Sequence, residues 1–112
     1  MIYLHILQSI LASRLNITLP PYFVTFLITR RCNLKCSFCE IWQHQKSDDE
    51  ELSVAQIEHM FGKLRSIDVL RISGGEPFLR EDLGGVINRI EAVSSPRMTH
   101  ITTNGTLPDS IE

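Results

Sequence analysis

Apolar positions near the start of the chain recur every three or four residues. This spacing predicts a leading helix from Ile2 to Leu15 with one packing face. The residues of that face are Ile6, Leu7, Ile10, Leu11 and Leu15. Pro20 and Pro21 cannot continue a helix. The stretch Tyr22–Thr29 is rich in aromatic and β-branched residues and is apolar on both faces, which predicts a buried parallel strand.

Helical and extended patterns then alternate. Ser53 and Gln56 form a capping-box pattern at the start of a second helix. Strands are predicted at Val69–Ser73 and Thr99–Gly105, and a last helix is expected to begin near Pro108. The apolar faces of the second and third helices are Ile57, Met60, Phe61 and Leu64, then Leu83, Val86, Ile87, Ile90 and Val93. Met60 and Phe61 are expected in the core.

This order predicts an α/β fold with three parallel strand–helix units after a leading helix. Strands that alternate with helices pair in parallel through right-handed crossovers. We expect a leading helix and linker over residues 1–21 and the strand–helix units over residues 22–112. The segment between the first strand and the second helix shows no regular period. The residues "KSDDEE" at the end of this segment are expected to form a solvated acidic turn.

Composition excludes several function classes. With a net charge of -2 and 7% aromatic residues, the 112-residue chain has no general attraction to nucleic acid or to an anionic membrane. No apolar run reaches the roughly 20 residues that span a bilayer. The start of the chain lacks the basic segment of a signal peptide. We therefore expect a cytoplasmic location, where thiols stay reduced.

Every cysteine of the chain lies in "CNLKCSFC", at Cys32, Cys36 and Cys39. An odd number cannot form a closed set of disulfides. One interpretation is a zinc site that His44 completes, although no second ligand cluster is present. Another is an iron–sulfur cluster whose fourth iron stays open for a ligand. Arg30, Arg31 and Lys35 flank the thiols and either offset their charge or are solvated surface charges.

Two motifs together resemble the radical S-adenosylmethionine (radical SAM) superfamily. The first is the Cys-x3-Cys-x2-Cys pattern with Phe38 before its last cysteine, and the second is "SGGEPFLREDL" at the end of the second strand. The resemblance implies the amino-terminal half of a partial (βα)6 TIM-like barrel, truncated relative to the family. It also implies an enzyme that holds a 4Fe–4S cluster and cleaves S-adenosylmethionine reductively to a 5′-deoxyadenosyl radical.

Site residues follow from the same resemblance. Cys32, Cys36 and Cys39 would bind three irons, and Phe38 would lie against the adenine region. The residues expected near the methionyl amino group and the strand-end rim are Gly74, Gly75, Glu76, Pro77, Thr103 and Asn104. Strand-end polar residues such as Thr102 could equally be simple caps.

The expected partners are an external electron donor of the flavodoxin or ferredoxin type, an unknown substrate and, if the enzyme is split, a complementing chain. Arg71 either faces the barrel interior or pairs with an acid from a helix. The alternative function is a small zinc- or cluster-binding module without radical chemistry, although "GGEP" has no purpose there. The isolated chain is expected to be inactive.

Overall fold

The structure, a computed structural model, describes residues 2–45, 51–64 and 66–110. Its main elements are helix α1 (Ile2–Arg14), strand β1 (Phe23–Thr29), helix α2 (Val54–Gly62), strand β2 (Val69–Gly74), helix α3 (Leu83–Ser94) and strand β3 (Met98–Ile101). Short 3₁₀ turns lie at Ile41–His44, Pro77–Leu79 and Pro108–Ser110. None of the helices in these ranges has the length and apolar character needed to cross a membrane.

The three strands form one parallel sheet in the order β1-β2-β3. Phe23 lies opposite Val69, and Leu70 lies opposite Thr99. The predicted α/β fold with three parallel strands is therefore confirmed. The third strand is shorter than expected, because Thr102–Gly105 belong to the loop that follows it. The expected last helix is a 3₁₀ turn as far as the structure describes it.

Helices α2 and α3 pack together on one face of the sheet. The buried core consists of Ile28, Ile57, Phe61, Ile67, Leu70, Ile72, Leu83, Val86 and Ile90. Ser53 caps α2 with the predicted capping box. Phe61 meets the ring of Phe26 edge-on, with 5.2 Å between the ring centroids. Alternate residues of β2, Leu70 and Ile72, point into this core, as the period of two requires.

The prediction that Met60 belongs to the core is wrong, because its side chain is 38% exposed. Ile57 and Phe61 are four residues apart and share one helical face. Met60 precedes Phe61 by one position, which turns its side chain about 100° around a helix of 3.6 residues per turn. The apolar pattern alone could not decide which of the two residues faces the sheet.

Two other predictions of burial also fail. Strand β1 is not buried on both faces along its length: Phe23 and Leu27 are exposed, and only its last two residues, Ile28 and Thr29, are buried. The apolar face predicted for α1 is exposed as well, whereas Ala12 of that helix is buried. The reason is that α2 and α3 both cover the same face of the sheet. In the described part of the chain, the second face of β1 therefore remains open to solvent.

We expect Phe61→Ala to lower the free energy of unfolding by about 3–5 kcal/mol, because it removes a large side chain from a closed core. Met60→Ala is the matched control, since it changes the neighbouring residue on the exposed side. It should cost about 0.5 kcal/mol, as surface substitutions do. Urea unfolding followed by circular dichroism measures both values. Equal losses in the two variants would contradict the placement of this helix.

Candidate cofactor site

The three cysteines line one small pocket where the chain leaves β1. Cys32, Cys36 and Cys39 are free thiols and half-buried. The pocket holds about 120 Å³. Its other lining residues are Leu34, Phe38, Ile41, Trp42, Gly75 and Asn104. The structure thus brings the predicted metal ligands together with Phe38, Gly75 and Asn104, three of the residues predicted to contact the cofactor.

The donor set of this pocket fits a cluster. Each thiolate of a cubane binds a different iron, so the sulfur atoms surround the cluster instead of meeting at one point. Across residues 2–45, 51–64 and 66–110, no three His, Cys, Asp or Glu side chains form a group that could hold one metal ion as they stand. His44 is exposed and is not among the residues that line the pocket.

Hydrogen bonds to backbone carbonyls shape the cysteine loop. The indole Nε1–H of Trp42 donates to the carbonyl of Cys36 at 3.2 Å, and Gln45 Nε2 donates to the carbonyl of Cys32 at 3.2 Å. The ammonium of Lys35 lies 5.6 Å from the centre of the Trp42 ring. Lys35 therefore stabilises the loop through an aromatic contact. Sequence reasoning missed Trp42 and Gln45, since neither belongs to a motif.

Gly74 and Gly75 are needed because two backbone segments almost touch. The N–H of Gly75 donates to the carbonyl of Thr29 at 2.9 Å. A Cβ on Gly75 would lie 2.0 Å from the carbonyl oxygen of Arg31, and one on Gly74 would lie 2.4 Å from that of Thr29. Gly74 also has a φ of 143°, which side chains rarely adopt. Both glycines thus permit contact between this segment and the start of the cysteine loop.

Glu76 ties the ends of β2 and β3 together. Its carboxylate is 0% exposed. One oxygen accepts from the Phe78 N–H at 3.1 Å and from the Thr103 hydroxyl at 2.8 Å. The other accepts from the Asn104 N–H at 2.7 Å. The structure therefore places Glu76, Thr103 and Asn104 together, and hydrogen bonds among these three residues hold them there. Buried Pro77 begins the 3₁₀ turn that follows.

Asn104 also reaches the cysteine loop. Its Nδ2 donates to Asn33 Oδ1 at 2.9 Å, and Asn33 Nδ2 donates to the Thr106 hydroxyl at 2.7 Å. The Thr106 N–H donates to Asn104 Oδ1 at 3.0 Å, which completes the network. Because Asn33 follows Cys32 directly, this network joins the loop after β3 to the first cysteine. Sequence reasoning named Asn104 as a residue of the strand-end rim but missed Asn33 and Thr106.

Phe38 borders the pocket, whereas Arg71 lies on the sheet. Phe38 lines the pocket and is 90% exposed, so its ring is open to contact with a ligand. Arg71 alternates with buried Leu70 and Ile72 and therefore lies on the sheet face that α2 and α3 leave uncovered. Its Nε donates to the Thr102 hydroxyl at 3.1 Å. Of the two placements expected for Arg71, the structure supports the one away from the helices.

Charged residues surround the base of the cysteine loop. Glu51 forms an ion pair with Arg31, so the expectation of a solvated acidic turn is wrong for Glu51. The other residues of that turn, 46–50, lie outside the described residues. Arg80 donates to Asp82 at 2.5 Å, and this hydrogen bond lowers the pKa of the Asp82 carboxyl below its ordinary value. Asp82 therefore stays ionised beside Arg80.

Known proteins are similar to this chain in sequence. The family model of the radical SAM superfamily matches residues 26–112. A "Probable GTP 3',8-cyclase" of Methanothermobacter thermautotrophicus is 40% identical over 90 residues, which are 79% of this chain and 29% of that protein. The "GTP 3',8-cyclase" of Aquifex aeolicus is 37% identical over 86 residues, or 70% of this chain and 26% of that protein.

A differently named protein is just as similar. The "Pre-heme d1 synthase" of Dinoroseobacter shibae is 37% identical over 89 residues, covering 78% of this chain and 22% of that protein. The chain therefore spans about a quarter of the length of these relatives. Because the family model covers most of the chain, including every cysteine and the "GGEP" segment, the chain belongs to the radical SAM superfamily.

Proposed function

We propose that this chain forms the cofactor-holding part of a radical SAM enzyme. The observation that carries the proposal is that Cys32, Cys36 and Cys39 line one pocket with Gly75 and Asn104. The three thiolates would each bind one iron of a 4Fe–4S cluster and leave the fourth iron open for S-adenosylmethionine. When bound, the cluster and S-adenosylmethionine supply the one-electron chemistry that opens a carbon–sulfur bond and begins hydrogen abstraction.

The chain's own residues would orient the cofactor around this pocket. Phe38 would lie against the adenine, because its exposed ring borders the thiols. The segment Gly74–Pro77 would meet the methionyl amino group beside Cys32. Thr103 and Asn104 would complete the rim. Glu76 would act by holding that rim in place, because its buried carboxylate already accepts three hydrogen bonds from the protein.

The matched region carries what the differently named relatives share. A "GTP 3',8-cyclase" and a "Pre-heme d1 synthase" match 70% and 78% of this chain at the same identity of 37%. We therefore assign cofactor handling to this stretch and not the choice of substrate. GTP is the first substrate to test, because several relatives are named "GTP 3',8-cyclase" or "Probable GTP 3',8-cyclase". The same proposal includes three further points. The chain forms the amino-terminal half of a partial (βα)6 barrel, its electron donor is of the flavodoxin or ferredoxin type, and it is located in the cytoplasm.

We expect anaerobic reconstitution of the full chain with iron and sulfide to give a 4Fe–4S species. Addition of S-adenosylmethionine should change its electron paramagnetic resonance signal. Cys36→Ala should abolish the cluster, because two thiolates cannot hold it. Ser37→Ala, which changes the exposed neighbour, should keep it. Binding of one zinc ion without sulfide, or full iron content in Cys36→Ala, would overturn the proposal.

We expect Gly75→Ala to damage the site, since its Cβ would lie 2.0 Å from the Arg31 carbonyl oxygen and 3.0 Å from Cys32 Cβ. The free energy of unfolding should fall by about 3 kcal/mol, the upper range for overpacking, and the cluster content should drop. Gly85→Ala is the control, because nothing lies within 4 Å of its added Cβ. A helical position of this kind gains up to about 1 kcal/mol. A normal cluster content in Gly75→Ala would show that the close approach is not required.

A further inference from the structure

The two ends of the cysteine loop are held together by one carboxylate. Glu51, with a side chain 10% exposed, lies just before α2, where the loop returns. It accepts a hydrogen bond from the Thr29 hydroxyl at the end of β1. Its two oxygens also accept from Arg31 Nε and Nη2, each at 3.2 Å. Such a two-point pairing of guanidinium and carboxylate fixes orientation as well as distance.

Arg80 binds the same two ends from the segment after β2. Its side chain is 5% exposed. It donates to the carbonyl of Ile28 at 3.1 Å and to the carbonyl of Leu52 at 2.7 Å. Its Nη1 also lies 3.9 Å from Glu51 Oε2. The backbone on both sides of the loop is therefore joined to one buried cation. We call Thr29, Arg31, Glu51 and Arg80 the loop clamp.

The loop clamp acts on the same backbone that contacts the glycine segment. The carbonyls of Thr29 and Arg31 accept from the N–H groups of Gly75 and Glu76, at 2.9 and 2.8 Å. The Arg31 N–H donates to the Thr29 hydroxyl at 3.0 Å. The side chains of Thr29 and Arg31 thus belong to the clamp, while their carbonyls hold "GGEP". Cys32 follows Arg31 directly, so its position depends on both sets of contacts.

The charged groups of the clamp have partners within the protein. Glu51 pairs with Arg31 and Arg80, and Asp82 pairs with Arg80. Arg31 is therefore compensated by Glu51 and is not a spare cation for the cysteines. Removing one partner of such a pair destabilises the protein, because the remaining charge is left without compensation away from water. The clamp can consequently hold its geometry before any cofactor binds.

We propose that Glu51 is a positioning residue for the cofactor site: with Thr29, Arg31 and Arg80 it closes the base of the cysteine loop and keeps Cys32 beside Gly75. Its role in cluster assembly rests on the proposed function. The closed loop itself exists in the cofactor-free protein and can be measured there. Thiol alkylation reports this closure, because a cysteine reacts faster when its segment opens locally.

The test compares alkylation rates of the individual cysteines in the cofactor-free full chain by mass spectrometry. In Glu51→Gln we expect the rate at Cys32 to rise about tenfold relative to wild type, which corresponds to about 1.4 kcal/mol of easier opening. Glu51→Asp keeps the charge and should restore part of the protection. Glu58→Gln is the matched control: its ion pair with Arg89, at 3.7 Å, joins α2 to α3 outside the clamp.

Each outcome decides the proposal. An unchanged Cys32 rate in Glu51→Gln overturns it, as does the same rise in Glu58→Gln. If Glu51→Gln loses its helical circular dichroism signal, Thr29→Val decides instead, because it removes one hydroxyl and keeps a β-branched side chain in β1. A faster Cys32 reaction in Thr29→Val supports the clamp, and an unchanged one rejects it. Failure of the wild type to take up a cluster would reject the proposed function alone.

Discussion

The arrangement of this molecule depends on how closely the backbone after β2 approaches the backbone after β1. Gly75 and Glu76 donate N–H groups to Thr29 and Arg31 beyond the regular part of the sheet. This extension is possible only because neither Gly74 nor Gly75 carries a Cβ. In a parallel sheet, the chain segments that follow β1 and β2 leave at the same edge, which is where α/β folds bind their ligands. The close approach then brings the first cysteine against the glycine segment.

Two carboxylates, the buried Glu76 and the partly buried Glu51, stabilise this edge in different ways. Glu76 is held by neutral donors from the loops after β2 and β3. Glu51 is held by arginines from the loop and from the segment after β2. Among the described residues, no buried side-chain nitrogen or oxygen lacks a hydrogen-bond partner. Because a buried polar group without a partner costs about 1–3 kcal/mol, such a complete network favours one arrangement of the loops. The apolar core beneath supplies most of the stability.

Sequence reasoning succeeded where a local pattern and the parallel topology agreed. The three parallel strands and the second and third helices followed from spacing, and the resemblance to a family implied that the cysteine loop and Gly75 belong to one site. It failed where burial depends on partners distant in sequence. Glu51 looks like part of a solvated acidic run, yet Arg31 and Arg80 bury it. Phe23 and Met60 are apolar in the sequence, but which faces the helices cover decides their exposure.

The two faces of the sheet differ in composition. One face packs under α2 and α3, and its residues are aliphatic or aromatic. The other face mixes Phe23 and Leu27 with Arg71, whose bond to Thr102 lies at the same edge as the cofactor pocket. Relatives with different names match this chain at the same identity of 37%, so this degree of similarity does not distinguish between their named activities.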